Sequence, residues 1–250
     1  MARKGGTRTK TGIGRSLEIY YRDDARAQRM DVLNAAFVAS DALVFDIGAH
    51  LGDRTASFLR LGASVVAVEP QPRVFRALRL LHGRKPNVAL LPCAIGKEVG
   101  EVMLHLNTRN PTVATVAPDF ITAATDAPGW ADQVWDDSVT VPVTTLDALI
   151  VRYGVPDFMK IDVEGHEAEV LGGLSTAVAA LSFEFTTIQR SVAHDCIDKL
   201  CALGVYRFNI SLGENHKLEH RDWLTAKDMH AEIDALPDDA NSGDVYAKLI

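Results

Sequence analysis

Cysteine is scarce: Cys93, Cys196 and Cys201 are the three among 250 residues. An odd number at these spacings suits neither a disulfide framework nor a zinc site. They read as buried thiols in a reducing cytoplasm. Long apolar runs are missing, so no segment reaches transmembrane length and no membrane partner is expected. No apolar h-region follows the start of the chain, which excludes a secretory signal. Positive charge is not in excess either. The formal net charge is −7, which argues against general affinity for nucleic acid. The interior has no Pro/Gly/Ser-rich linker and no internal repeat. The G-x-G-x-x-G fingerprint of dinucleotide sites is also absent.

What is present fits an ordinary globular protein with one large core: 47% hydrophobic and 24% charged residues. Basic residues gather at the start, as Arg3, Lys4, Arg8, Lys10 and Arg15. Residues 1–15 are therefore expected to be a solvated, disordered tail. Residues 16–250 are expected to form a single domain. Its first part, 16–39, has Leu17, Tyr20, Tyr21, Met30, Leu33, Phe37 and Val38 at helical spacing.

Strands and helices then alternate. Strands are expected over 43–47, 64–69, 87–96, 100–107, 138–143, 157–162, 180–186, 206–212 and 244–250. Helices are expected over 53–61, 73–81, from Thr145 to Tyr153, through Glu167 to Leu171, and over 191–203. Such alternation implies an α/β fold, a Rossmann-like doubly wound and mostly parallel sheet. No clearly amphipathic helix precedes the last strand, so that strand is expected to run antiparallel. Residues 108–137 have no period and carry Pro111, Pro118, Pro128 and Gly129. The stretch is too long for a plain connection and reads as a substrate loop. Trp130 and Trp135 within it are candidates for stacking on a substrate.

One stretch carries most of the chemistry. In "LVFDIGAHLGD" (43–53) a strand ends in Asp46, and Gly48 and Gly52 follow. Ligands of open α/β sheets bind outside the carboxyl ends of the strands. Glycines there let the backbone turn sharply and approach a ligand. The pattern is D-x-G-x-x-x-G, and a carboxylate before the glycines would repel a pyrophosphate. It would suit a cationic group. Glu69 closes the second strand, where an acid can accept hydrogen bonds from both ribose hydroxyls. An adenosine with a cationic amino-acid tail and no phosphate satisfies both acids. That describes S-adenosyl-L-methionine.

The stretch "VFDIGAHLGDRTASFLRLGASVVAVEPQP" resembles the opening of the FkbM family of class I S-adenosylmethionine-dependent methyltransferases. The later stretches "LLPCAIGKEVGEVMLHL", "VPVTTLDALI", "FMKIDVEGHEAEVLGG" and "FEF" agree with it in order. The likeness covers about residues 40–250. His50 stands where the family often has Asn. The resemblance implies that Asp46, Gly48, Ala49, His50 and Gly52 line the methionine end of the cofactor. It implies Glu69 at the ribose, Pro70 shaping the adenine pocket, and Cys93 and Ala94 beside the adenine. Asp162 would face the sulfonium and the incoming acceptor. Residues 108–137 match the family poorly, so acceptor identity does not carry over.

Methyl transfer from a sulfonium is an in-line displacement in which the protein mainly positions the nucleophile. An alcohol nucleophile gains from a base. The stretch "KIDVEGHE" offers Asp162 first, then Glu164 and His166, with Glu184 at the next strand end as a further candidate. His166 and Glu167 read equally well as an exposed helix start. Oxygen ligands suit Mg²⁺, but the spacing has no metal signature and no metal is expected. The reading is an S-adenosylmethionine-dependent methyltransferase, acting on oxygen of a small molecule or saccharide by the resemblance. The rivals are a nicotinamide-dependent oxidoreductase and a non-catalytic cofactor-binding protein on the same scaffold.

Overall fold

A computed structural model describes residues 12–125 and 127–250. The segment expected as a tail lies mostly outside the described residues. Its end does not: helix α1 (Ile13–Tyr21) begins within it. The predicted helical segment 16–39 is two helices, α1 and α2 (Asp24–Asn34). The Asp23 side chain caps the second by accepting from the Arg26 N–H.

The main chain then alternates as the spacing implies. In order come β1 (Leu43–Ile47), α3 (Asp53–Arg60), β2 (Ser64–Val68), α4 (Pro72–His82) and β3 (Val88–Leu91). Next are β4 (Ala94–Ile95), β5 (Gly100–Leu106), α5 (Pro118–Ala124), β6 (Asp137–Thr144) and α6 (Leu146–Tyr153). They are followed by β7 (Phe158–Ile161), α7 (Glu167–Leu171), β8 (Ala180–Thr186), α8 (Arg190–Leu203), β9 (Tyr206–Leu212), α9 (Ala226–Ala235) and β10 (Ser242–Leu249).

Seven strands form one sheet in the order β3-β2-β1-β7-β8-β10-β9. β10 runs antiparallel to both β8 and β9, while β1, β2, β3, β7 and β8 pair in parallel. The antiparallel last strand agrees with the expectation, but a helix, α9, does precede it. Its apolar stripe is short, with Met229 and Ile233 the buried members, which is why periodicity missed it. The expected strand over 87–96 breaks in two at Pro92. β4 joins β5 and β6 in a separate three-stranded sheet.

The parallel strands are buried on both faces, so they read as continuous apolar runs. In β1, Phe45 and Ile47 pack on one side with Met159, Ile161, Phe183 and the α8 residues Cys196, Ile197 and Leu200. Val44 packs on the other with Phe58, Val65, Phe158 and Tyr246. Strand order reverses between β1 and β7, because β2 lies on the far side of β1. That reversal opens a crevice at the carboxyl ends of β1 and β7.

Candidate functional site

The crevice is a cleft lined at one end by Asp46, Gly48, Ala49, His50, Glu69 and Pro70, with Cys93 and Ala94 alongside. Asp162, Glu164, His166 and Glu184 line its other part. Every cofactor and catalytic candidate from the sequence meets here except Gly52. That glycine sits in the left-handed conformation (φ 83°) at the N-cap of α3. A Cβ there would come within 2.6 Å of Leu78 and 2.7 Å of His82. Its work is to start the helix and pack it on α4, not to line the cleft.

Gly48 is also left-handed (φ 82°). A Cβ on it would lie 1.7 Å from the Asp162 carbonyl oxygen, so only glycine lets β1 and β7 approach so closely at the crevice. Asp46 is buried and accepts a short hydrogen bond from the Thr55 hydroxyl. Burial raises its pKa to about 6. Glu69 is buried and accepts from the His50 N–H at 2.9 Å and the Gln71 N–H at 2.7 Å. Burial raises it to about 7 against those bonds.

The second group of acids comes from two strands. Lys160 on β7 lies opposite Ser182 of β8, and Glu184 lies opposite Asp244 of β10. The buried Lys160 ammonium sits 3.1 Å from Asp162 and 2.6 Å from Asp244. Burial opposes its charge, but those two carboxylates outweigh burial and raise its pKa. For Asp162 burial works upward, and Lys160 and Arg54 pull its pKa below the usual range. Oxygens of Asp162, Glu164 and Glu184 lie within 4.8 Å of one another. Burial, then repulsion from Asp162, holds Glu164 and Glu184 well above ordinary carboxylates. The set therefore combines one ionised acid with two that hold protons readily. Its oxygens are of the kind a divalent cation takes. Sequence spacing could not show this, since Glu184 enters from a different strand.

Two expectations need correction. Glu167 is not on an exposed helix start: it is buried and accepts from the Val163 and Gly165 N–H groups. The tryptophans of 108–137 are not free to stack on a substrate. Trp130 donates to Asn241 at 2.9 Å, Trp135 donates to the Val113 carbonyl at 2.8 Å, and both pack edge-on against Phe120. Of that stretch, Thr112, Ala114 and Val116 reach the cleft.

Sequence reasoning also missed a cationic corner. Tyr20, Arg26, Arg54 and Glu214 line the cleft beside the glycine turn. Arg26 bonds Asp53 and Glu214, and its Cζ lies 5.0 Å from the centre of the Tyr20 ring. The signal was legible. Arg26 shares the buried face of α2 with Met30 and Leu33, and a cation on an apolar stripe asks for a partner.

Fold and cleft together define a Rossmann-like α/β domain with its cleft at the strand-order reversal. The model of the FkbM methyltransferase domain matches residues 46–236. The chain belongs to the FkbM family of methyltransferases. The oxidoreductase reading falls with that membership.

Among curated relatives, the hexuronic acid methyltransferase AglP of Haloferax volcanii is 26% identical over 163 residues, 64% of this chain. The match spans 61% of that relative's length. Among solved structures, precorrin-6y C5,15-methyltransferase from Geobacter metallireducens is 13% identical, with 92% of this chain and 90% of that one covered and a TM-score of 0.44. A TehB-like S-adenosylmethionine-dependent methyltransferase from Corynebacterium glutamicum is 11% identical, with 95% and 94% covered and a TM-score of 0.47. Among the described residues, no helix is long and apolar enough to cross a membrane.

Proposed function

We propose that this methyltransferase acts on a hydroxyl oxygen of a small molecule or saccharide, with Asp162 as the base that receives the proton. The observation that carries this reading is the convergence of Asp162, Glu164 and Glu184 within 4.8 Å at the methyl-donor cleft. Three acids at one spot suit a group that donates hydrogen bonds, as a hydroxyl does. Asp162, the ionised one, opposes a carboxylate acceptor through like-charge repulsion. The relative from Haloferax volcanii acts, by its name, on a hexuronic acid. A sugar hydroxyl remains open to an enzyme of this kind, and the acids favour it over a sugar carboxylate.

Asp46, Gly48 and Ala49 hold the methionyl end of the donor, Glu69 pairs the ribose hydroxyls, and Pro70, Cys93 and Ala94 bound the adenine. The acceptor enters past Thr112 and Val116. Its hydroxyl donates to Asp162, which Lys160 keeps ionised. Bound in this cleft, S-adenosyl-L-methionine would supply the methyl group, the new oxygen–methyl bond replacing its sulfur–methyl bond. Asp162 receives the proton and gives it up again once the product has left. Glu164 and Glu184 hold the acceptor oxygen in line, and His166 at the start of α7 borders the acceptor.

The test is methylation of a panel of neutral and acidic saccharides with methyl-labelled donor. Label that survives mild alkali, as an ether does, supports the reading. Label found only on uronic acids and lost in alkali is an ester and would overturn it. Turnover lost with chelator and restored by Mg²⁺ would replace the Asp162 base with a cation held by the same oxygens.

A further inference from the structure

Arg26 is 5% exposed, yet one end of its guanidinium is unused. Nη2 donates to Asp53 at 2.9 Å and to Glu214 at 2.7 Å, and Nε donates to Glu214 at 3.1 Å. Nη1 is buried without any hydrogen-bond partner. A buried charged donor left unpaired is costly, and folds rarely keep one unless something else satisfies it.

The rest of the side chain is held firmly. Its other nitrogens are tied to two carboxylates, its plane lies by the Tyr20 ring, and the Tyr20 edge meets His50 at 5.8 Å between ring centres. His50 belongs to the glycine turn. Arg26 therefore stands at the methionyl end of the cleft, its guanidinium held in place by two carboxylates.

The methyl donor brings two cations and one anion to this end: the sulfonium, the ammonium and the carboxylate. Asp46 and Asp162 suit the cations and repel the carboxylate. Arg54 faces the same corner, but it is surrounded by Glu214 at 3.4 Å, Asp53 at 3.6 Å and Asp244 at 3.9 Å. Arg26 Nη1 is the cationic donor of this corner that is buried without a hydrogen bond.

We infer that Arg26 Nη1 binds the carboxylate of the methionyl tail, so that the N-terminal helix α2 completes the cofactor site. Arg26 lies ahead of residues 46–236, the stretch that the family model matches. The assignment thus comes from this chain's own fold. It rests on the methyl donor and is independent of the acceptor class.

The test compares S-adenosylhomocysteine with its decarboxylated analogue, which keeps the ammonium and the adenosine. Calorimetry on the full chain should give a preference of about 10- to 100-fold for the carboxylate form, as charge-assisted hydrogen bonds do. In Arg26→Gln that preference should collapse to about 3-fold or less, while the analogue binds as before. Arg26→Lys keeps the charge without the fork and should fall between, which covers the case in which the Gln variant does not fold. Each variant carries its own control, because damage to the fold weakens both ligands together. An undiminished preference in Arg26→Gln, or equal weakening of both ligands, would overturn the inference. Wild-type protein that binds neither ligand would instead contradict the methyl donor itself.

Discussion

Two groups of acids surround one crevice, and the fold treats them differently. Asp46, Glu69 and Glu167 each accept from fixed donors: the Thr55 hydroxyl for the first, and backbone N–H groups of His50, Gln71, Val163 and Gly165 for the others. Asp162, Glu164 and Glu184 lean instead on each other and on one ammonium, that of Lys160. The Glu184 Oε2 atom is buried with no partner at all. The first group fixes the shape of the turns that line the crevice. The second group keeps free acceptor capacity, which structural acids do not need.

Breaking the shaped side should have the largest effect. Gly48→Ala places a Cβ 1.7 Å from the Asp162 carbonyl at a positive φ. Stability should fall by more than about 4 kcal/mol, with cofactor binding lost, as denaturant unfolding and calorimetry would register. A folded Gly48→Ala protein with normal affinity would mean that β1 and β7 can separate freely.

Glu69 sharpens the comparison. Glu69→Ala removes an acceptor of two backbone N–H groups and the proposed ribose contact, so S-adenosylhomocysteine should bind about 1–3 kcal/mol more weakly. Glu69 also makes a pH signature. Its pKa is raised by burial to about 7 in the folded protein, against about 4.3 when unfolded. Between those values the folded state holds more protons, so this residue costs stability as pH rises, and the cost is complete above about 7. Glu69→Gln should therefore stabilise the cofactor-free protein relative to wild type at pH 8 more than at pH 4. A pH-independent difference in melting temperature would show that Glu69 is not desolvated.

The smallest effect expected concerns the excursion between β5 and β6. Trp130→Phe keeps the ring against Phe120 and deletes the bond to Asn241. Thermal unfolding should report a loss of about 0.5–1.5 kcal/mol with unchanged cofactor affinity. Changed affinity would tie this cluster to the donor site.

The half of the molecule built on β1, α3 and β2 was legible because local chemistry decides it. Asp46, Gly48 and Glu69 sit at strand ends whose apolar runs are continuous, and their charge together with the glycine spacing points to the kind of ligand they suit. The excursion was not legible. Its order comes from Val113, Phe120, Ala124 and Trp130, which pack together from scattered positions without a period. The proline-rich stretch looks open in sequence and is closed by these long-range contacts. The convergence of Glu184 with Asp162 and Glu164 was only half visible. Residue types can be read along one strand, but the pairing of β7 with β8 decides which acids meet. For Arg26 the need for a partner was legible within α2, while the partners themselves, Asp53 and Glu214, come from remote parts of the chain.

The claim that most needs testing is that Asp162 accepts the proton while the shaped acids only hold the donor. Asp162→Asn keeps the volume and removes the charge. Single-turnover methyl transfer to a responsive saccharide should slow by about 10²-fold or more. Affinity for S-adenosylhomocysteine, measured on the same preparation, should stay within about 10-fold, the worth of one hydrogen bond to a charged group. Methyl transfer at a near-normal rate in Asp162→Asn would contradict the assignment and move the base to Glu164, His166 or Glu184.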